Sequence, residues 1–148
     1  MDVTDALAGE HGVFHLLVEQ LDDALARCQT LTELRAATEP LAISLLAHAR
    51  IEEQTLFVPY ERETGSLGPL RCLRHEHQMM DEMIRNLFRL ADAEQLRAQV
   101  RSLLDVTRRH LAREEEVMFA AARQALPAGE LAQQGAQWAQ ARGITLPK

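Results

Sequence analysis

The chain is predicted to be all-α: an up-down-up-down antiparallel four-helix bundle with a short C-terminal fifth helix. Three observations predict it. Strong helix formers (Ala, Leu, Glu, Gln and Arg) dominate a 148-residue composition with few Gly and Pro and only 4% aromatic residues. Four long segments repeat apolar residues at alternating spacings of three and four, the period of a buried helix face. The connections between them are short, which favours antiparallel neighbours.

The elements follow in order. Thr4 or Asp2 can cap a first helix that runs to about Cys28, with the stripe Leu7, His11, Phe14, Val18, Leu21, Leu25 and Cys28. Thr30 and Glu33 form a capping box that opens the second helix. Pro40 either kinks that helix or sits in the first turn of its main segment. Its stripe continues through Leu41, Leu45, His48, Glu52 and Thr55 or Leu56, and Pro59 ends the pattern near Tyr60. Thr64-Gly-Ser-Leu-Gly-Pro69 has the densest turn chemistry in the chain. After it the third helix carries Leu70, Leu73, His77, Met80, Ile84, Leu87 and Ala91. Asp92 with Gln95 caps a fourth helix with Leu96, Val100, Leu103, Thr107, His110, Glu114, Val117 and Ala121, and Pro127 stops it. A last helix from about Ala128 to Arg142, closed by Gly143, packs Leu131 and Trp138 over one end of the bundle or offers Trp138 to a dimer contact. The tail from Ile144 to Lys148 is expected to be loose. One domain over 1–148 is expected, with the bundle over about 4–126 and the C-terminal helix and tail over 128–148.

A formal charge of −6 and a pI near 5.5 argue against a nucleic-acid surface, which needs clustered Lys and Arg. No run approaches the roughly 18 apolar residues of a membrane span, and Met1 to Asp5 lack a signal-peptide pattern, so a cytoplasmic location is expected. Cys28 and Cys72 stand alone, without metal or redox spacing, and read as free, mostly buried thiols.

The chain also repeats itself. His48-Ala-Arg-Ile-Glu52-Glu53-Gln-Thr-Leu-Phe57 returns as His110-Leu-Ala-Arg-Glu114-Glu115-Glu-Val-Met-Phe119. Aligning His11 with His77 matches Phe14 to Met80, Val18 to Ile84 and Leu21 to Leu87, as a duplicated helical hairpin requires. In each copy His and Glu at i and i+4 share a helix face.

Six polar residues, His11, His48, Glu52, His77, His110 and Glu114, fall on the apolar stripes. Burying unpaired imidazoles and carboxylates costs several kcal/mol each, against a net stability of roughly 5 to 15 kcal/mol. At about 1.5 Å per residue from each hairpin loop, all six reach one height within a turn or so. A metal site answers both facts. Four imidazoles and two carboxylates exceed one tetrahedral zinc site and suit two first-row metals, with Glu52 and Glu114 able to bridge them. Iron is the leading candidate, with zinc or manganese as alternatives. His15, one turn past His11, is either a fifth histidine ligand or a flanking residue. Asp81 is placed just outside the ligands and His75 in solvent. Glu53, Glu115 and Glu116 are expected to be solvated or paired with Arg50 and Arg113, although Glu115 could compete with Glu114 for the metal.

The order His, His-x-x-x-Glu, His, His-x-x-x-Glu over four helices resembles the hemerythrin-like, HHE cation-binding family across about residues 5 to 126. The Leu56-Phe57 and Met118-Phe119 pairs after each motif, with Pro59 after the first, also match that family's run. The resemblance implies a non-haem di-iron centre, two Fe2+/Fe3+ ions with an oxo or hydroxo bridge, held by His11, His48, Glu52, His77, His110 and Glu114. It implies binding of O2 or a related small oxidant as sensor or carrier, with Phe14, Leu56, Phe57, Met118 and Phe119 as an apolar sleeve. A di-iron oxidoreductase acting on peroxide or nitric oxide, or iron sensing or storage, is the alternative. The Glu-x-x-His pairs of ferritin-like enzymes are absent, and no catalytic residue is assigned. The expected partner is O2 or a similar ligand, with no nucleic acid and no membrane, and the chain a monomer or weak dimer. The oxygen-carrying members place a second histidine on the third helix where this chain has Asp81, and space their final carboxylate at five rather than four.

Overall fold

Asp2 opens helix α1 (Val3–Arg27) by accepting the Asp5 N–H at 2.9 Å. This computed structural model describes residues 1–145, so Leu146, Pro147 and Lys148 of the tail expected to be loose lie outside the described residues. At the far end of α1, Arg97 donates to the carbonyls of Leu25 and Cys28, which satisfies acceptors that a helix C-terminus leaves free.

The second rod, α2, opens with the capping box read from the sequence: Glu33 N–H donates to Thr30 Oγ1 at 3.2 Å, and Thr30 N–H to Glu33 Oε2 at 3.0 Å. It runs as an α-helix over Leu31–Glu52, widens into a π-helical turn over Glu53–Phe57, and resumes over Val58–Thr64. Pro40 lies inside this helix without ending it. Pro40 and Ala36, whose carbonyl it leaves unmatched, are both exposed residues, a setting in which water can serve that carbonyl. Pro59 does not end the helix either, contrary to expectation. It lies in the first turn of the resumed segment, directly after the π turn.

Gly65, at a φ of 62°, closes α2 in the left-handed conformation that glycine enters most cheaply. Helix α3 (Leu70–Leu87) stops short of the expected Ala91, because the chain tightens: Arg89 N–H bonds to Asn86 O and Leu90 N–H to Leu87 O, while Arg35 of α2 takes the Leu90 carbonyl at 2.7 Å. Helix α4 begins at Asp92, whose carboxylate accepts the Gln95 N–H at 2.8 Å. It comprises Ala93–Arg113, a second π turn over Glu114–Met118, and Phe119–Ala125. Helix α5 (Ala128–Ala141) lies against α1 and the first π turn, with Leu131, Trp138 and Ala139 buried. Its Gly135 is required by a close approach: a Cβ there would sit 2.6 Å from the Met1 carbonyl oxygen.

The described residues are all-helical, with α1 against α2, α3 against α4, and α4 also against α1 and α2. Buried apolar side chains form two clusters. One is centred on Phe14, Leu45, Met80 and Leu103, the other on Leu7, Phe57, Leu73 and Phe119. The polar seam residues lie between them. Both cysteines are free, but Cys72 is exposed rather than buried, beside Arg113 and Glu76. No helix among the described residues is long and apolar enough to cross a membrane.

Candidate metal centre

The π turns shape the site. In an α-helix, five residues turn the chain through about 500°, leaving Phe57 roughly 140° from Glu52. A turn closed by i→i+5 bonds, here Val58 N–H to Glu53 O, brings the fifth residue nearly back over the first. Glu52 and Phe57 are therefore both fully buried, as are Glu114 and Phe119 almost completely after the second π turn. The same widening corrects the sequence reading of α4: Val117, expected in the core, is 46% exposed, and Met118 takes its place inside.

All six seam residues meet. The ligand atoms of His11, His48, Glu52 and Glu114 lie within 4.8 Å of one another, and so do those of Glu52, His77, His110 and Glu114. Glu52 and Glu114 belong to both groups. His11 Nε2 is 3.4 Å from Glu114 Oε2, His110 Nε2 3.2 Å from Glu114 Oε1, and His77 Nε2 3.3 Å from Glu52 Oε2. Each Nε2 thus points inward. Both oxygens of Glu52 and of Glu114, with Nε2 of His77 and His110, are buried and form no hydrogen bond. Such orphaned atoms are costly to a fold unless a ligand meets them, and this donor set of imidazole nitrogen and carboxylate oxygen fits first-row cations.

The electrostatics agree. Burial, aided by the adjacent Glu114, pushes the Glu52 carboxyl well above the usual carboxylate range. Burial acts the same way on Glu114, but the rings of His11 and His110 outweigh it and hold that carboxyl well below its usual value. Burial, reinforced by His110, lowers His77 to about 3, and burial also lowers His48. For His110 the pull of Glu114 overcomes burial and raises it. Two adjacent buried carboxyls are thus shifted in opposite directions, because like charges so close disfavour ionising both.

Outside the cluster, carboxylates hold the rings by their other nitrogens. His48 Nδ1–H donates to Glu10 Oε2 at 2.6 Å, and His110 Nδ1–H to Glu76 Oε2 at 3.0 Å. Burial would raise Glu10, but hydrogen bonds from His48 and Arg142 hold it at about 2. Neither residue was expected from the sequence. The available signal was the dipeptide Glu-His, at Glu10-His11 and again at Glu76-His77. His11 Nδ1–H donates to Glu115 Oε1 at 3.0 Å.

The structure does not bring His15 into the cluster. Its side chain is 46% exposed and its Nε2 lies 3.2 Å from the same Glu115 oxygen, so it flanks the site. Glu115 holds these two rings from outside rather than pairing with Arg113, which instead binds Glu76. Glu53 pairs with Arg74 at 2.7 Å and not with Arg50. Asp81 is held by Arg85 at 2.9 Å, and His75 and Glu116 face solvent as expected.

The five sleeve residues are all buried. Phe57 stacks on His77 with ring centroids 5.4 Å apart, Phe119 lies 5.2 Å from His11, and Phe14 meets His48 edge-on at 4.9 Å. Leu56 and Met118 lie in the apolar cluster with Phe57 and Phe119. A cavity of about 390 Å3 reaches His77 from outside, between Leu46, Glu53, Arg74 and Asp81.

Among known proteins, the family described as hemerythrin HHE cation binding domain matches residues 2–129. No curated protein and no solved structure matches.

Proposed function

Because the chain belongs to the hemerythrin HHE cation-binding domain family, we propose that it is a non-haem di-iron protein that binds O2 or a related small oxidant as a sensor or carrier. The observation that carries this reading is the pair of four-residue groups sharing Glu52 and Glu114. On it, His11 and His48 would hold one ion and His77 and His110 the other, with Glu52 and Glu114 available to both, in an up-down-up-down bundle. Two iron ions supply reversible one-electron chemistry suited to O2, which zinc does not.

The protein's own residues do the rest. Glu10, Glu76 and Glu115 orient His48, His110 and His11, fixing Nδ1 as the protonated nitrogen and leaving Nε2 to bind. The sleeve of Phe14, Leu56, Phe57, Met118 and Phe119 excludes water, which preserves a bound oxidant from protonation and strengthens charge interactions inside. A small ligand enters beside His77, whose side chain is 12% exposed while those of His11, His48 and His110 are at most 2%.

Metal analysis of untagged protein, paired with optical spectra in air and after reduction, tests this reading. Two iron ions per chain are expected, with near-ultraviolet charge-transfer bands that appear in air and fade on reduction. A chain that takes up no iron, or whose iron-loaded form has the same spectrum in both states, refutes it.

A further inference from the structure

Helix α5 reaches the centre through a single carboxylate. Glu10 Oε2 accepts from His48 Nδ1, while its Oε1 accepts from Trp138 Nε1 at 3.0 Å and Arg142 Nε at 2.5 Å. Both of these donors lie beyond residue 129, where the family match stops.

The second hairpin solves the same problem alone. Glu76 serves His110 as Glu10 serves His48, and its other oxygen is held by Arg113, the residue before Glu114. The residue before Glu52 is Ile51. The first hairpin thus lacks the cation that anchors its outer carboxylate, and α5 provides one from elsewhere in the chain. The helix is seated for this: Gly135 meets the backbone at Met1 to Val3, Leu131 and Trp138 are buried, and Glu130 pairs with Arg62 at 2.7 Å.

We propose that α5 is a positioning clamp for His48, so that docking of this helix and binding of a cation between His11 and His48 strengthen each other. The proposal rests on the metal-binding reading above. A cation on Nε2 withdraws charge from the ring and makes the Nδ1–H a better donor to Glu10, while a Glu10 held by two further donors keeps the ring aimed at the cation. Linkage makes the effect reciprocal: whatever α5 adds to cation affinity, the cation adds to α5 docking. Metal loading thereby becomes legible on the surface of the protein, at a helix that lies mostly beyond the matched family region.

The test uses the full chain and anaerobic Fe2+. Stepwise affinities are measured by competition with a chromophoric chelator for wild type, Trp138→Phe, Arg142→Gln and the control Arg62→Gln, which breaks an α5 pair that does not touch Glu10. Hydrogen exchange of α5 amides is followed with and without the ion, and Trp138, the only tryptophan, reports docking by fluorescence. Trp138→Phe and Arg142→Gln should each weaken one of the two ions by about 10- to 100-fold, leave the other unchanged, and lose the iron-induced protection of α5. Arg62→Gln should match wild type. Two ions bound with unaltered affinity in the Trp138 and Arg142 variants overturn the clamp alone. Wild type that binds no Fe2+ overturns the metal reading and the clamp with it.

Discussion

Replacing Glu52 with Met separates a carboxylate kept for a cation from one that the fold needs. Glu52 is fully buried, and neither oxygen is hydrogen-bonded. Without a cation such a group costs about 1 to 3 kcal/mol, and a thioether of similar length removes that cost while adding apolar contact. At about 2 to 4 °C per kcal/mol for a chain of this size, metal-free Glu52→Met should melt roughly 2 to 12 °C above metal-free wild type at pH 7. Circular dichroism melts in chelator measure it directly. The sign with pH also follows. The folded-state value of Glu52 is raised above the unfolded value of about 4.3, so the folded chain binds the extra proton. Its contribution is fully present below about pH 4.3 and is lost as pH rises through the raised value, and the advantage of the variant therefore widens with pH. On the proposed reading the order reverses with iron, because the wild type gains by mass action and the variant lacks one of the carboxylates that would hold it. A variant that melts below wild type in chelator would refute the reasoning, since the carboxylate would then hold the fold together.

Three further outcomes follow from the same geometry. His15→Ala should leave two ions bound per chain, because that ring sits on the rim against Glu115; loss of one ion by metal analysis would show that it swings inward. Gly135→Ala forces a methyl against the Met1 carbonyl and should cost about 1 to 3 kcal/mol, read from the denaturant midpoint of metal-free protein. Cation uptake should release protons, because the raised Glu52 carboxyl must ionise to bind. Calorimetric heats that do not vary with the ionisation enthalpy of the buffer would contradict it.

The seam was legible in the sequence because helix periodicity places residues on a face regardless of neighbours. His11, His48, Glu52, His77, His110 and Glu114 broke an apolar stripe, and an interruption in register is visible in one dimension. The capping box at Thr30 and Glu33 was legible for the same reason: it is local. What stayed hidden was either a change of period or a partner on another helix. A π turn looks like any helical stretch until its register slips, which is why Val117 was read as core and Pro59 as a terminator. Glu10 and Glu76 lie one residue, about 100°, off the seam, so a face-by-face reading discards them. Only their repetition beside the seam histidines could have marked them.

The two halves carry the same His and Glu positions at the cluster, and three differences around it make them unequal. Where the second half has Arg74, the first has Ala8. Arg74 holds Glu53 by two nitrogens, whereas the equivalent Glu115 pairs with no arginine among the described residues and meets His11 and His15. Asp81 stands where the first half has His15, and is tied to Arg85. Ile51 replaces Arg113, and α5 makes good the loss. Among the described residues His77 is the one imidazole of the cluster whose Nδ1 forms no hydrogen bond, and it borders the cavity. On the proposed reading, one ion is clamped on every side and the other is left the looser ring and the way in. A site that must hold its metal while admitting a small oxidant needs that division, and in this chain charged residues around the centre supply it.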